Sequence, residues 1–176
     1  MPIFAKPLTP RKFKDQEFRK EILFAVGKTA KDVKKDFEKT TKTWKKKPVF
    51  EIVIAIGPKS ADFLVGTDDE IYSYVDQGTK PHPIFAGIYT GKSNKKSLYF
   101  QWAGPGSYSA KTVPNVLGSR SGGSSGPMVN KAWVDHPGTE PRNFSKMIKR
   151  IWTPIYKKRI EQAISRANKK SNHAYK

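Results

Sequence analysis

The chain has 176 residues and a mass of 19.9 kDa, a size that favours one domain. Hydrophobic residues make up 36% of it, and the absence of cysteine excludes a disulfide framework, a thiol nucleophile and a cysteine-ligated zinc. No apolar run approaches the roughly 20 residues that span a bilayer, and the first residues lack the apolar stretch of a signal peptide. We therefore expect a soluble protein that is made in the cytoplasm.

The charge is strongly positive and unevenly placed, since 34 Lys and Arg against 15 Asp and Glu give a formal net charge of +19. Residues 1–48 hold 15 basic and 6 acidic residues, residues 49–141 hold 8 of each, and residues 142–176 hold 11 basic and 1 acidic. Basic ends around a neutral middle favour nucleic acid, an anionic membrane or acidic faces on neighbouring subunits as partners. They are also typical of lysine-rich solvated helices.

Apolar residues recur every three or four positions between Pro10 and Pro48. They are Phe18, Ile22, Val26, Ala30, Val33, Phe37, Thr41 and Trp44. Because lysines occupy the other faces, the spacing predicts a long amphipathic helix that begins after Pro10 and is stopped by Pro48. So regular a stripe favours packing on a sheet over binding to a membrane surface.

Strand-like patterns follow this helix. They cover residues 49–56, 61–67, 71–77, 98–103 and 128–134. The first is β-branched, ends at Gly57 and reads as a mostly buried strand, and an acidic turn at 68–70 separates the second from the third. The short connections favour an antiparallel or mixed sheet.

The last segment carries a second helical stripe. Its members are Phe144, Met147, Ile148, Ile151, Trp152, Ile155, Ile160, Ala163, Ile164 and Ala167. Pro154 either starts a second helix after Thr153 or kinks a single one. We predict one α+β domain over residues 1–176, with a long N-terminal helix, a sheet of about five strands, and a C-terminal helix or helix pair packed on it. We expect residues 104–127, which are rich in Gly and Ser, to form a flexible loop and residues 171–176 a frayed tail.

Patterns for catalysis or cofactor binding are weak. Residues 91–93 read Gly-Lys-Ser, but the phosphate-loop spacing needs glycine at position 86, where the sequence has alanine, and no helix pattern follows. Residues 122–126 match Gly-x-Ser-x-Gly only as part of a Gly- and Ser-rich run, and no pattern of a strand followed by a helix flanks them, so a hydrolase triad has no anchor there. We therefore predict a protein that is not an enzyme and has no cofactor.

The histidines suggest a metal site only under one condition. His82 and His136 lie in similar proline-flanked settings, and with Asp76 or Asp135 they would form a site if the two loops met. Neither loop has the tight spacing of known ligand pairs, so we predict no metal. A small basic nuclease or nucleic-acid-binding protein is the alternative.

Aromatic residues on the predicted strands raise the question of base stacking. They are Tyr72, Tyr74, Tyr99, Phe100 and Trp102. A sheet that reads nucleic acid mixes aromatic and basic residues, but these strands carry almost no Lys or Arg. Packing in the core is the favoured interpretation.

Two motifs in a fixed order carry a family resemblance. Residues 74–84 read Tyr-Val-Asp-Gln-Gly-Thr-Lys-Pro-His-Pro-Ile, and residues 136–144 read His-Pro-Gly-Thr-Glu-Pro-Arg-Asn-Phe, while Trp44 precedes Pro48 and the first strand. From about Phe18 to Ala167 the chain resembles the tail-component proteins of long-tailed double-stranded DNA phages. The resemblance implies a virion protein of the head–tail junction, in the neck or in tail completion.

The same resemblance implies the partners. They are further copies in a hexameric or dodecameric ring, other head–tail connector and tail proteins, and the genomic DNA passing through the ring, with no membrane and no small-molecule substrate. The candidate residues for contact with DNA phosphates or with acidic faces of neighbouring rings are Lys45, Lys46, Lys47, Lys157, Lys158, Arg159, Lys169 and Lys170.

The turns within the two motifs are candidate structural positions. Their residues are Gly78, Thr79, Pro81, His82, His136, Pro137, Gly138, Thr139 and Pro141. The glycines permit backbone conformations closed to other residues, and the prolines rigidify the exit from each turn. We predict that the two turns lie close together, that the histidines hydrogen-bond across them, and that they shape a subunit edge or the end of the sheet.

Overall fold

Two long helices dominate the structure, a computed structural model that describes residues 15–57, 60–104 and 108–170. The helices are α1 (Asp15–Thr40), α2 (Glu70–Gln77), α3 (Gly87–Thr90) and α4 (Phe144–Lys170). The strands are β1 (Glu51–Ile56), β2 (Ala61–Gly66), β3 (His82–Phe85), β4 (Leu98–Gln101), β5 (Tyr108–Ser109), β6 (Gly123–Ser124), β7 (Met128–Lys131) and β8 (Trp133–His136).

The strands of the described residues form separate antiparallel pairs rather than one sheet. β1 pairs with β2, β3 with β8, β4 with β7, and β5 with β6. The predicted α+β class is confirmed, as are the long helices near both ends of the chain. The prediction of one five-stranded sheet is wrong, because no two of these pairs share a strand.

α1 and α4 pack against each other through small and apolar side chains. Ala25 and Val26 of α1 and Ala163 of α4 are buried at this contact. The second partner of the helices is β2, where the Phe63 ring meets the Tyr156 ring edge-on at a centroid distance of 5.2 Å. The α1 stripe is largely buried between α4 and this narrow hairpin, whereas Ile151, Ile155 and Ile164 of the predicted α4 stripe are exposed, so that part of the prediction is wrong.

An aromatic cluster forms the second part of the core. The rings of Phe37 and Phe50 lie 5.3 Å apart, and Phe50 meets Tyr72 edge-on at 5.1 Å. Phe144, which is fully buried, closes the cluster at 6.1 Å from Tyr72. Because burial disfavours the phenolate, the pKa of Tyr72 is raised well above its usual range. The cluster ties the end of α1, the entry to β1, α2 and the start of α4 together.

The C-terminal end of α1 lies at Thr40, eight residues before the proline that was predicted to stop it. The Thr40 hydroxyl donates to the Phe37 carbonyl at 2.6 Å, and the Trp44 amide donates to the Thr41 carbonyl at 2.9 Å. These local bonds satisfy the last carbonyls and turn the chain early. The predicted beginning after Pro10 lies outside the described residues.

Two strand predictions are corrected. Residues 71–77 belong to α2, because the Asp69 carboxylate accepts a hydrogen bond from the Tyr72 amide at 2.8 Å and caps a helix there. β1 forms as predicted but is mostly exposed rather than buried, since it belongs to a two-stranded hairpin with only one covered face. A run of β-branched residues does not reveal how many faces of a strand are covered.

The pairs β3–β8 and β4–β7 form what we call the arm, residues 82–104 and 126–136. β4 was predicted, while β3 was missed and the predicted strand 128–134 breaks at Ala132 into β7 and β8. Neither pair makes extensive contact with α1 or α4. The position of the arm therefore depends on the pairing of its own strands and on the turns at Thr79 and Thr139, from which β3 and β8 lead away.

Residues 108–127 include much of the segment that we expected to be flexible. They hold the short pair β5–β6 and also contact the rest of the fold outside the arm, residues 15–57, 60–81 and 137–170, which we call the body. The Ser119 hydroxyl donates to the Lys39 carbonyl at 3.2 Å, the Asn115 amide donates to the Arg142 carbonyl at 3.1 Å, and Leu117 packs against the aromatic cluster. The flexibility expected of this segment stays a prediction.

α4 is one continuous helix that contains Pro154, so the prediction of a possible second helix resolves to a single one. The Thr153 hydroxyl donates to the Lys149 carbonyl at 2.7 Å beside the proline. Residues 171–176, predicted to fray, lie outside the described residues. None of the described helices is long and apolar enough to cross a membrane.

A larger side chain in the contact between α1 and α4, which we call the seam, tests this packing. Because Ala163 is fully buried between α1 and α4, Ala163→Leu is expected to lower the free energy of unfolding by about 1–3 kcal/mol through overpacking. Urea denaturation measures the change. The matched control is the neighbouring exposed position, Gln162→Leu, where a change within about 0.5 kcal/mol is expected. Equal effects of the two substitutions would contradict the seam.

Candidate functional site

The two predicted turns meet in the structure, and we call residues 78–82 with 136–141 the turn pair. The Thr79 amide donates to the Thr139 carbonyl at 2.9 Å, and the Thr139 amide donates back to the Thr79 carbonyl at 3.1 Å. The Thr79 hydroxyl also lies 3.0 Å from the Thr139 amide. The structure thus brings together two segments that are 60 residues apart in the chain.

Each turn contains a glycine that no other residue replaces without strain. Gly78 and Gly138 have φ values of 79° and 88°, in the region that side chains disfavour. A Cβ on Gly78 would lie 2.6 Å from the Thr139 carbonyl oxygen, and a Cβ on Gly138 would overlap the Thr79 carbonyl oxygen. The two backbones approach each other too closely for any side chain between them.

Each glycine faces a proline of the other turn. The Pro141 ring would lie 2.9 Å from a Cβ on Gly78, and the Pro81 nitrogen 3.0 Å from a Cβ on Gly138. Since the proline ring fixes φ, these residues hold the chain as it leaves each turn. Pro137 is exposed beside them.

His82 and His136 lie opposite each other in the β3–β8 register, with ring centroids 5.1 Å apart. The Nδ1 atom of each ring is engaged in its own turn. His82 Nδ1 lies 2.8 Å from the Lys80 carbonyl, and His136 Nδ1 accepts from the Gly138 amide at 3.1 Å. The predicted hydrogen bond across the turns is therefore replaced by one bond within each turn and a contact between the rings.

This arrangement fixes the protons on the rings. Because a carbonyl only accepts, His82 carries its proton on Nδ1, whereas His136 Nδ1 accepts and its proton lies on Nε2. Burial, together with the charge of the neighbouring His82, lowers the pKa of His136. A metal at His136 Nε2 would move the ring proton to Nδ1, and Nδ1 could then no longer accept the hydrogen bond from the Gly138 amide. No cluster of three or more potential ligands occurs in residues 15–57, 60–104 and 108–170.

Asp76, which was considered as a metal ligand only if the two loops met, caps a helix in the structure. Its carboxylate accepts from the Ser145 amide at 3.2 Å and from the Ser145 hydroxyl at 2.6 Å. Its carbonyl accepts from the Asn143 amide at 3.0 Å. Asp76 therefore caps the N-terminus of α4 from the end of α2, where negative charge is favoured. Asp135, the other suggested ligand, is exposed and pairs with Pro83 in the register.

The arrangement makes the turn pair a three-way junction. On one side, α2 ends at Gly78 and α4 begins at Phe144, joined through Asp76. On the other side, β3 and β8 lead away from the same turns into the arm. The backbone groups of Thr79 and Thr139 bond to each other, and each histidine Nδ1 bonds to the backbone of its own turn.

The predicted basic residues separate into two groups. Arg159 forms an ion pair with Asp32 at 2.9 Å and lies over the Trp152 ring, and Lys170 forms an ion pair with Glu21. The others are exposed and have no ion pair within the described residues: Lys45, Lys46, Lys47, Lys157, Lys158 and Lys169. This second group has no acidic partner to displace when it meets a binding partner.

The aromatic residues of the predicted strands and the Gly-Lys-Ser run at residues 91–93 lie in different environments. Tyr72 lies in the core as favoured, but Tyr74, Tyr99 and Trp102 are exposed and Phe100 is half-buried, so core packing explains only part of that set. In residues 91–93, the glycine ends the four-residue α3 in the left-handed conformation. No long helix follows it to bind a phosphate.

No protein-family model, curated protein or solved structure matches the chain. The resemblance to phage tail-component proteins therefore depends on the two turn motifs and their order along the chain.

Adding one methyl group tests the close approach at the turn pair. Gly138→Ala is expected to lower the free energy of unfolding by about 2–4 kcal/mol, because it combines a disfavoured φ with overlap on the Thr79 carbonyl. Urea denaturation gives the value. Gly91→Ala is the control, since Gly91 also has a positive φ of 67° but nothing near its Cβ, and a loss of about 1 kcal/mol is expected. Similar losses for both variants would disprove the close approach.

The lowered pKa of His136 gives a pH dependence. The unfolded chain binds a proton at His136 near pH 6.5, whereas the folded chain resists it. The free energy of unfolding is therefore expected to fall as the pH drops through about 6.5 towards the lower folded pKa.

The variant His136→Asn isolates this effect. Asparagine keeps an acceptor for the Gly138 amide but does not titrate, so its stability should fall less than that of the wild type between about pH 7.5 and 5. The measurement is urea denaturation at each pH. Parallel curves for the two proteins would rule out a lowered His136 pKa.

Proposed function

We propose that this chain is a structural, non-enzymatic virion protein of the head–tail junction of a long-tailed double-stranded DNA phage, in the neck or in tail completion. Copies of it form a ring, a hexamer or a dodecamer, around the path of the DNA. The observation that carries this proposal is the turn pair. Both motifs of the resemblance meet there, and their glycines, threonines and histidines are engaged in backbone architecture rather than directed at a substrate.

The exposed aromatic and apolar side chains of the arm support a role in assembly. Phe85 is 46% exposed, Tyr99 68%, Met128 61% and Trp133 52%. Large apolar side chains on a segment with little contact to the body are typical of surfaces that dock on other proteins. Other head–tail connector and tail proteins are the partners we assign to the arm.

The basic residues with no ion pair fit either partner at the junction. Lysines such as Lys45 and Lys157 are exposed and suit contact with acidic protein faces or with the phosphates of the passing DNA. Phosphate contacts are independent of sequence, but many of them would hold back a genome that must move. We therefore assign most of these lysines to protein partners.

The second candidate is a small basic nucleic-acid-binding protein or nuclease. The exposed rings of Tyr99 and Trp102 favour it, since they follow Lys92, Lys95 and Lys96 in the arm and would offer bases a stacking surface. Catalysis would require His82 or His136 to act with a metal.

Particle mass and nuclease activity separate the two candidates. Light scattering after size exclusion, with negative-stain microscopy of the same fractions, is expected to show closed rings of one stoichiometry without added metal. DNA incubated with these fractions and Mg²⁺ should remain intact. A monomer that degrades DNA with Mg²⁺, and loses that activity in His82→Ala, would establish the nuclease and contradict the ring.

A further inference from the structure

The hairpin of β1 and β2 has one covered face and one open face. Phe63 points to the covered face and meets Tyr156. Val53 and Leu64, opposite each other in the register, lie on the other face and are 58% and 67% exposed. Two-stranded pairs with an open apolar face are marginal by themselves. The exposure of these two side chains therefore marks a surface that fits a covering partner.

Acidic residues lie at both ends of this open face. Side chains alternate along a strand, so Glu51 lies on the same face as Val53, and Asp62 on the same face as Leu64. Neither carboxylate has an ion pair within the described residues. We call these four residues the acidic face. They belong to the one acidic stretch of a basic chain, since residues 49–77 hold 6 acidic residues and 1 basic.

One side of α4 has the opposite character. Ile151 and Ile155 are 40% and 37% exposed, and Lys158 follows them at the spacing that keeps side chains on one side of a helix. Lys158 is exposed and has no ion pair within the described residues. We call these three residues the basic flank. α4 as a whole carries 9 basic residues and 1 acidic.

We propose that the acidic face of one copy docks on the basic flank of α4 of a second copy. The occupant is a second copy because the two surfaces complement each other in both apolar area and charge. Copies with a net charge of +19 repel each other, so a stable contact between them requires a place where opposite charges meet. The acidic face supplies that place, and its carboxylates exclude DNA as the occupant.

The contact has the symmetry that a ring requires. Its two surfaces differ, so each copy uses the acidic face towards one neighbour and the basic flank towards the other, and such head-to-tail contacts form a ring where the rotation between neighbours closes. The inference rests on the proposed function for the expectation of ring closure. It adds to that function the surface by which neighbours meet and places a helix on each face of the hairpin.

Directed cross-linking tests the contact in a chain that has no cysteine of its own. Leu64→Cys and Ile155→Cys, made in separate chains and mixed under mild oxidation, are expected to give mainly a disulfide-linked heterodimer. Val53→Cys replaces Leu64→Cys if the latter lowers the stability of the fold. Tyr99→Cys, equally exposed but in the arm, is the control and should give no cross-link with Ile155→Cys.

Charge exchange tests the electrostatic part. Asp62→Lys is expected to weaken association on the order of tenfold in light scattering at low ionic strength. Combining it with Lys158→Asp in one chain restores opposite charges at every contact and should restore association. Combination with Lys157→Asp, which changes the neighbouring exposed residue of α4 outside the basic flank, should not.

The outcomes that overturn the inference differ from those that overturn the function. Rings of discrete mass without the Leu64→Cys to Ile155→Cys cross-link would refute this contact and leave the proposed function standing. Cross-linking mainly between two Leu64→Cys chains would show a symmetric contact and refute it as well. A monomer at every concentration and ionic strength would refute both the contact and the ring.

Discussion

The close approach of the two turns is the constraint on which the rest of the structure depends. At Gly78 and Gly138 the backbones lie too near for a Cβ, and the paired amides of Thr79 and Thr139 close the gap. Because the turns cannot separate without losing these bonds, the end of α2 is fixed against the start of α4. The cap that Asp76 provides to α4 is a consequence, since it acts across this junction.

The junction lies between two parts of the fold, the one that contains α1 and α4 and the arm. On the side of α1 and α4, the aromatic cluster and the contact between these helices form the core, and Asp32 and Glu21 neutralise Arg159, Arg166 and Lys170 between the helices. On the other side, the arm leaves large apolar side chains exposed. Large apolar side chains are also exposed on the open face of the β1–β2 hairpin and on the outer side of α4, and exposed apolar patches of this kind are typical of surfaces that meet other proteins.

Local patterns predicted the parts of the fold that local forces determine. The helical stripes of α1 and α4 are visible because apolar residues repeat with the helix period, and the motifs at Gly78 and Gly138 predicted two turns that lie together. The exposure of β1 was not predictable, because its β-branched residues do not show that β1 has β2 as its one partner strand. The strand predicted over 71–77 was wrong because alternation outweighed the cap at Asp69.

At the turn pair too, the sequence predicted the local features and missed the contacts between distant residues. Both histidines were identified, but their bonding was not, because the acceptor of His82 and the donor to His136 belong to the backbone of each turn. Asp76 was considered as a metal ligand only if the two loops met, and its role as a cap was missed because the sequence does not show that it meets Ser145, which lies 69 residues away. A contact of this kind depends on the folded chain, and no spacing within a motif reveals it.

Native-state hydrogen exchange tests most directly whether the turn pair holds the fold together. If it does, the amides of Thr79 and Thr139 exchange only when the whole chain unfolds, with the same free energy as the buried amides of α1. The amides of the arm, such as Ile88, should exchange through smaller local openings. Exchange at Thr79 and Thr139 as fast as in the arm, under conditions that leave α1 protected, would show that the turns open independently and would contradict the account.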